Sequence, residues 1–530
     1  MSSRARSPQL YYRYLLLLLS SVLGALSFPG LGMGWLAWIS LLPSLVYGER
    51  VGSRREFLWG VFLSEGLKWL WLVIWLRHVS WIPTVGIALV MAAYQCVWYA
   101  IYWRLRSLLK GGRPPIVLAG IMALALCWAL MEWIRTRPFG MPGNPLNVTQ
   151  WKYPEIIAIC SIIGGYGLSA VIVSVNLLLF RGIIAIRERE HSWKRWINPW
   201  WIGASLTIVL LVLIGVGGDG RRESSDRQDI KVAFIQPYQP AYRSWTMERM
   251  VDTVETVFRL TGKCSDSEFD LMLWPEGTLP LPIYHGSDMD KEVSNLVSRR
   301  VMRPLLLGNQ LNLDGRFYNA VLKYNPDGSL SDDHYAKNYL VPFGEFVPWR
   351  SVFGFLDRVV PLPGDFDPGK GPSIISLVLN NEIVNISALV CYEDCFPDLA
   401  VKAARDGAEV IYVATYDIWY GKELAAYMHA AHAVIRAAET GIPFLRCGSG
   451  GWSGYIDGQA RIRGVIQDQE TGSIYFRGFG ILDVQIPDHP ARTFFVRHYE
   501  GIILAVAIGA IALLLILLRL DSGKKESMNV

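Results

Sequence analysis

Charged residues are scarce in this chain, and it has no block of Lys and Arg interleaved with aromatic side chains that would indicate a nucleic-acid groove. They make up 18% of the 530 residues, and the formal net charge is only +5. A nucleic-acid groove needs a concentrated basic surface, so the missing basic block argues against a nucleic-acid-binding protein. Hydrophobic residues instead account for 52% of the chain, which is too apolar for one ordinary soluble domain.

Cysteine is also sparse, with seven residues. Because seven is odd, a complete disulfide framework is excluded and at least one thiol is free. Cys391 and Cys395 lie four apart, but no second Cys/His pair follows at a spacing suited to zinc, and the His429/His432 pair has no adjacent Glu motif. From this stretch alone, Cys391 could be a nucleophile, a metal ligand, a disulfide partner of Cys395 or an inert buried thiol.

Long apolar segments dominate the first 218 residues and return near the end of the chain. Eight of them are interpreted as membrane spans: 14–27, 35–48, 57–76, 82–103, 114–131, 156–180, 201–218 and 501–518. The first two are separated by "FPGLGMG" (28–34), and the second is short. Glu65 and Lys68 interrupt the third span three residues apart on one helical face, so we expect them to pair with each other.

The first 27 residues also resemble a signal peptide, with basic residues, a Leu run and then small residues. Six further spans follow within the first 218 residues, so we interpret this segment as an uncleaved first helix. Lys- and Arg-rich loops alternate along the spans, which predicts that both termini are cytoplasmic. The large insert between the seventh and eighth spans then faces outward.

That insert has the pattern of an α/β domain. Short β-rich runs such as "IKVAFIQP" and "AEVIYVATY" alternate with helical segments, one of which ends at a plausible glycine cap, Gly441. The expected organisation is a bundle (1–218), a linker (219–229), a catalytic domain (230–492), a last transmembrane helix (498–520) and a cytoplasmic tail (521–530).

Three predicted strands are followed by reactive side chains, in the words Trp274-Pro275-Glu276, "YAKNYLVPFGEFVPW" (335–349) and Cys391-Tyr392-Glu393. Each word alone also fits an ordinary loop. Together they supply a carboxylate that could accept a proton, a lysine that could stabilise an oxyanion, and a thiol that could attack a carbonyl. The combination favours nucleophilic catalysis by Cys391, with Glu276 as base and Lys337 as the stabilising cation.

The order Glu276, Lys337, Cys391 in an α/β domain resembles the nitrilase superfamily, whose domain is an α-β-β-α sandwich. The words "WPE", "FYN", "YAKNYLVPFGEFVP" and "CYED", with seven spans before the domain and one after, are similar to the apolipoprotein N-acyltransferase family. The resemblance makes Glu276 the general base, Lys337 the oxyanion-stabilising lysine and Cys391 the nucleophile. It also implies supporting or substrate-binding roles for Glu345, Tyr392, Glu393, Trp245 and Asn319.

Two words depart from the family pattern. The family's S-N-D-x-W-F-G reads "TYDIWYG" (415–421) here, with Tyr416 in place of Asn, and R-x-x-N-x-G reads "RCGSGG" (446–451) without the Asn. Neither change touches the three expected catalytic roles. Both bear on how an acyl acceptor would be held.

The resemblance implies a two-step reaction in the bacterial inner membrane, with the catalytic domain on the periplasmic side. An acyl chain would pass from a phospholipid such as phosphatidylethanolamine, through a thioester on Cys391, to the α-amino group of a diacylglyceryl-cysteine in an apolipoprotein. No metal or cofactor is expected, and we expect a monomer. The alternatives are a membrane-anchored amidase that uses water as acceptor, and a catalytically inactive scaffold.

Overall fold

The computed structural model describes residues 8–137, 140, 143–188, 198–219, 227–240, 245–342, 344–347, 365–488, 490 and 492–528. The chain divides into two compact units, Met1–Gly218 with His498–Val530, and Asp219–Arg497. The helices are α1 (Pro8–Ser27), α2 (Leu42–Gly48), α3 (Arg54–Leu72), α4 (Trp81–Gly111), α5 (Pro114–Thr136), α6 (Pro154–Ile157), α7 (Cys160–Glu188), α8 (Pro199–Asp219), α9 (Met247–Cys264), α10 (Asp288–Leu296), α11 (Pro397–Arg405), α12 (Ala425–Thr440) and α13 (Phe494–Met528).

The first unit is helical. Among the described residues, five helices are long and apolar enough to cross a membrane, namely α4, α5, α7, α8 and α13. The apolar helical segments Tyr11–Ser27 and Gly34–Gly48 are shorter. The third predicted span, 57–76, overlaps α3, which begins after an N-capping Ser53, ends at Leu72 and carries the two interior charges. The eight predicted spans therefore remain a prediction.

The expected pairing of interior charges is confirmed within the first unit. Lys68 forms an ion pair with Glu65 on α3, and Glu65 Oε1 also accepts a hydrogen bond from the Tyr99 hydroxyl at 3.2 Å. Near the end of the chain, Asp521 on α13 pairs with Arg104 and accepts a hydrogen bond from Ser107 Oγ at 3.0 Å. These contacts tie α13 to α4.

The second unit contains two six-stranded mixed sheets. Their strands are β1 (Arg227–Gln236), β2 (Leu271–Trp274), β3 (Leu305–Leu313), β4 (Arg316–Tyr324), β5 (Leu330–Ala336), β6 (Ile374–Leu379), β7 (Glu382–Val390), β8 (Val410–Thr415), β9 (Phe444–Gly448), β10 (Gly454–Ile456), β11 (Ile462–Val465) and β12 (Gly478–Pro487). The strand orders are β12-β1-β2-β3-β4-β5 and β11-β10-β9-β8-β7-β6.

The central strands of each sheet are parallel, and they are buried on both faces, as their apolar sequences require. In the first sheet β1, β2 and β3 run parallel; in the second, β7, β8 and β9 do. The two sheets pack face to face, because the Cys447 thiol of β9 lies 3.4 Å from the Ile235 carbonyl oxygen of β1 and 3.5 Å from that of Leu273 in β2.

Helices cover the outer faces of both sheets. Val257 and Leu260 of α9 and Val293 of α10 join the buried cluster on the first sheet. On the second sheet, every residue of α12 is buried except Tyr427. The predicted cap at Gly441 is confirmed: this residue has a φ of 76°, and its N–H donates to the Ala437 carbonyl. The layers are those of an α-β-β-α sandwich.

Candidate active site

The three side chains expected to carry the chemistry follow three different strands. Glu276 comes two residues after β2, Lys337 directly after β5, and Cys391 directly after β7. All three are buried, with exposed fractions of 8%, 1% and 8%. The fold therefore brings together residues that are separated by 61 and 54 positions in the sequence.

Lys337 lies between two carboxylates. Its Nζ donates to Glu345 Oε1 at 2.9 Å and is 3.7 Å from Glu276 Oε1. Asn319 Nδ2 donates to both of these oxygens, each at 2.7 Å. Burial opposes the charged ammonium, but Glu345 and Glu276 outweigh it and raise the pKa of Lys337 well above its usual range. Lys337 is therefore a permanent cation here.

Glu276 is suited to accept a proton. Burial raises its pKa, Lys337 lowers it, and the negative charge of Glu345 raises it again, so that its pKa lies above the ordinary value. The Cys391 thiol also lowers the pKa of Glu276, which shows that the two groups interact. Apart from the Cys391 thiol, no described residue donates a hydrogen bond to the buried Oε2 of Glu276. It is thus available for the thiol proton.

Cys391 begins a short turn over residues 391–395 and has a φ of 56°. Few residues other than glycine adopt such angles, and they concentrate at functional sites. Burial and the charge of Glu276 raise the pKa of the Cys391 thiol well above its usual range, whereas Lys337 lowers it. Since the free thiol stays protonated, an attack on a carbonyl requires simultaneous proton transfer to a base.

The buried carboxylate of Glu393 stabilises this turn through hydrogen bonds. Its carboxylate accepts hydrogen bonds from four donors: Asn338 N at 2.7 Å, Tyr339 N at 3.0 Å, Val390 N at 2.8 Å and Tyr335 Oη at 2.8 Å. Burial raises the pKa of Glu393 to about 7, while Lys337 and these donors favour the carboxylate. Glu393 therefore links the segment around Lys337 to the strand that leads to Cys391.

The other expected site residues take different positions. The Tyr392 ring lies 5.4 Å from Lys337 Nζ, and its hydroxyl donates to the Leu340 carbonyl at 2.8 Å. Asn319 and Glu345 belong to the buried cluster. Trp245 does not: 43% of its surface is exposed, two residues before α9. The sequence also offers the aromatic-rich segment "FGFLDRVV" (353–360) as a candidate for lining a substrate opening, and this segment lies outside the described residues.

The two motifs that differ from the family pattern, "TYDIWYG" and "RCGSGG", contact the same segment of the chain. The Tyr416 hydroxyl donates to the carbonyls of Gln239 and Pro240, each at 3.1 Å. In the second word, a Cβ on Gly450 would lie 2.4 Å from Cδ2 of Tyr238, so the tyrosine ring occupies the space that a larger residue would need. Both altered words therefore contact residues 238–240, just after β1.

The alternatives for the cysteines can now be compared with the structure. None of the seven cysteines forms a disulfide with another described residue, so the Cys391–Cys395 disulfide is not formed. Asp394, Cys395 and His429 lie close enough to resemble a metal site. However, Asp394 is already paired with the Arg446 guanidinium, and a second cation beside that positive charge would be repelled. The cluster is a poor fit for a metal ion.

Sequence reasoning missed a buried set of charges next to the nucleophile. We call it the charge ring, and it consists of Asp394, His429, Asp417 and Arg446. These residues were not recognised because their partners lie between 12 and 52 residues apart in the chain. The signals in the sequence were the His429/His432 pair and the charged residues in "CYED", "TYDIWYG" and "RCGSGG".

The two mixed sheets and the buried Glu-Lys-Cys cluster define an enzyme of the carbon–nitrogen hydrolase type. That family, described as "Carbon-nitrogen hydrolase", matches residues 231–478, and the "Apolipoprotein N-acyltransferase N-terminal domain" matches residues 20–178. An amidase from Nesterenkonia is similar in structure at 17% sequence identity, with a TM-score of 0.35 over 51% of this chain and 96% of that chain.

Two relatives extend the match over most of the chain. An apolipoprotein N-acyltransferase of Geobacter metallireducens is 30% identical over 472 residues, which cover 85% of this chain and 86% of the relative. Apolipoprotein N-acyltransferase 1 of Treponema denticola is 25% identical, covering 85% and 87%. The chain belongs to the apolipoprotein N-acyltransferase family, and it is an acyltransferase.

Proposed function

We propose that this protein transfers an acyl chain from a membrane phospholipid to the N-terminal α-amino group of diacylglyceryl-cysteine in apolipoproteins, through a thioester on Cys391. The observation that carries the proposal is the buried contact of Glu276, Lys337 and Cys391 in a member of this family. A hydrolase and an acyltransferase need the same three groups, and the family assignment favours the acyltransferase.

In the first half-reaction, Cys391 Sγ attacks the carbonyl carbon of a phospholipid ester, for example in phosphatidylethanolamine. Glu276 takes the thiol proton, and Lys337 stabilises the oxyanion of the tetrahedral intermediate together with a backbone N–H near Tyr392. The ester C–O bond then breaks, and Glu276 returns the proton to the leaving alkoxide. The products are a lysophospholipid and an acyl-thioester on Cys391.

In the second half-reaction, the α-amino nitrogen of the acceptor attacks the thioester carbonyl. Glu276 removes a proton from the attacking amine, the C–S bond breaks, and Cys391 recovers the proton. The product is an amide, which gives an N-acylated lipoprotein. Every proton is accounted for by Glu276, so no metal or cofactor is needed for the balance.

Supporting residues have distinct tasks in this mechanism. Glu345 holds Lys337 in place, Asn319 orients both carboxylates, and Glu393 fixes the turn of the nucleophile. The exposed Trp245 is a candidate for contact with lipid or acceptor at the opening of the site. If the substitution W245A left the activity unchanged, this role of Trp245 would be abandoned.

The membrane arrangement is part of the proposal. It comprises a bundle of seven spans (1–218), a linker (219–229), a catalytic domain (230–492) on the periplasmic side of the inner membrane, an eighth span (498–520) and a cytoplasmic tail (521–530). The five long apolar helices support it. Both substrates are lipids, so a catalytic domain held at the membrane surface would meet their reactive groups near the headgroups. A monomer suffices for this chemistry.

The test uses membranes with a phosphatidylethanolamine that carries its fluorescent label on the transferred acyl chain, and a diacylated lipopeptide. We expect a fluorescent adduct on the wild-type protein without acceptor, and N-acylated lipopeptide once acceptor is added. C391S should form neither product. C395S, in the same turn, is the matched control and should keep both activities. Release of free fatty acid without N-acylated lipopeptide would favour the amidase, and no adduct under any condition would favour the scaffold.

A further inference from the structure

Positively and negatively charged side chains alternate around the charge ring. His429 Nδ1 lies 2.8 Å from Asp417 Oδ1, and His429 Nε2 lies 3.3 Å from Asp394 Oδ1. On the other side, Arg446 contacts Asp394 through Nη1 and lies 3.3 Å from Asp417 Oδ2 through Nη2. Each cation therefore meets both carboxylates. Three of the four residues are fully buried, and His429 is 8% exposed.

The ring joins four separate elements at the nucleophile. Asp394 is the fourth residue of the five-residue turn that Cys391 begins, and Asp417 begins the turn after β8. His429 comes from α12 and Arg446 from β9. Asp417 raises the pKa of the Cys391 thiol, and Cys391 raises the pKa of Arg446, so the ring and the thiol interact electrostatically.

The protonation states make the ring neutral near pH 7. Burial opposes the charge on Asp394, but His429 and Arg446 lower its pKa to about 2. Burial and Arg446 oppose the charge on His429, yet Asp394 and Asp417 raise its pKa to about 9. The ring then holds two carboxylates, one guanidinium and one imidazolium. Without the imidazolium proton, it would carry one net negative charge beside the thiol.

Other groups also face His429 and must be considered. The titratable and charged groups packed around it are Asp394 and Cys395 from the turn after β7, Asp417 and Tyr420 from the turn after β8, Arg446 from β9, and His432 from α12 itself. His432 in turn has Arg436 as a neighbour. Burial lowers the pKa of His432 to about 3, so this histidine is neutral. Arg436 is paired with Glu439 at 2.9 Å.

We propose that His429 is a positioning residue for Cys391, which as an imidazolium closes the charge ring, keeps it neutral and anchors the turn that carries the nucleophile. This inference rests on the proposed function, in which Cys391 attacks the acyl donor. A net negative charge behind the thiol would oppose both the thiolate and the oxyanion. A loosened turn would also misplace the sulfur relative to Glu276.

The test compares full-length H429Q, D394N and the double variant H429Q/D394N with wild type in detergent micelles. H429Q leaves the ring with one net negative charge, and D394N in the double variant removes it again. The matched control is H432Q, because His432 lies one turn further along the same buried helix but carries no charge. Two rates are measured: alkylation of Cys391 by iodoacetamide, and thioester formation from fluorescent phosphatidylethanolamine.

We expect H429Q to slow both reactions by about tenfold or more, and the double variant to recover most of this loss. H432Q should stay within about twofold of wild type, the change expected when no charge is lost. In wild type, thioester formation should decline as pH rises through about 9, where His429 loses its proton. D394N alone should move this decline to lower pH, because His429 then has one carboxylate fewer.

Opposite results would overturn the inference. Equal rates for H429Q and H432Q, or a double variant no faster than H429Q, would show that the charge of His429 does not act on Cys391. Should H429Q fail to fold, the D394N profile decides, and an unmoved alkaline decline contradicts the inference. If wild type forms no thioester but alkylation follows the predicted order, the proposed function fails while the positioning role stands.

Discussion

Asn319 serves two carboxylates with a single amide nitrogen. Both hydrogens of its Nδ2 are used, one on Glu276 and one on Glu345. An amide is the only uncharged side-chain group that can donate twice from one atom in this way. Asn319 thereby lowers the pKa of Glu276 without adding a second cation beside Lys337.

The substitution N319A should therefore weaken the base. Without this donor, the pKa of Glu276 rises further, and a larger fraction of the carboxyl group is protonated at neutral pH. The acid limb of the pH profile for thioester formation should move to higher pH, and the rate near pH 7 should fall roughly tenfold. The measurement is the single-turnover rate between about pH 5 and pH 8, a range that spans neutral pH.

A suitable control is N312A, which removes a side chain that caps a turn at Gly315 in the same sheet. It should leave the acid limb where it is in wild type. If N319A also left the limb unmoved, Asn319 would have no influence on the ionisation of Glu276.

At the scale of elements, the turn over residues 391–395 does more than end a strand. It holds Cys391 at a φ of 56°, a conformation that costs an L residue on the order of 1 kcal/mol or more. The bonds of Glu393 and the charge ring hold the turn despite this cost. The strained backbone of Cys391 is thus held by Glu393 and the charge ring, which take no part in the covalent chemistry.

Two inactive variants measure this strain. C391G removes the Cβ that makes the angle unfavourable, whereas C391A retains it, and both lack the thiol. We expect C391G to be more stable than C391A by about 1 kcal/mol, although glycine normally destabilises a folded chain. Thermal unfolding in detergent would show this as a melting temperature higher by a few degrees. Equal or lower stability of C391G would mean that the turn is not strained.

Elements with strong local patterns were predictable from the sequence. The strands β1, β2, β5, β7 and β8, and the helix α12 that ends at Gly441, all appear where the sequence patterns indicate them. Apolar runs of four to eight residues identify such buried strands. The short strands β10 and β11, of three and four residues, were missed because so few residues carry no periodicity.

The site was also predictable only in part, because only some of its residues lie in distinctive local motifs. Glu276, Lys337 and Cys391 stand in distinctive words at strand ends, and their proximity could be expected from the resemblance. The charge ring is formed by two turns, a helix and a strand that are far apart in the sequence. No local sequence pattern therefore predicts it. Its member His429 was considered in the sequence only as half of the His429/His432 pair, a poor metal motif.

For the whole molecule, the orientation in the membrane decides which substrates the site can meet. The predicted arrangement puts the loop around Gly52 in the cytoplasm and the large insert outside. Single cysteines at two exposed positions test it: G52C in that loop, and E382C at the start of β7. A membrane-impermeant maleimide should label E382C in intact spheroplasts and G52C only after lysis.

The parent protein provides the background, since six of its seven cysteines are buried and Cys96 is only partly exposed. Labelling of G52C in intact spheroplasts would reverse the predicted orientation. The same result would mean that the catalytic domain does not act on the periplasmic side, and that part of the proposed function would be wrong.

The contact between Tyr238 and Gly450 couples the side chains that two positions, far apart in the sequence, can accept. With a tyrosine ring 2.4 Å from the place of a Cβ, a larger residue at 450 becomes acceptable only after position 238 has changed. Tyr416 holds the same segment through two carbonyls. A side chain at position 450 therefore requires a smaller residue at position 238 or a shift of the segment that Tyr416 holds.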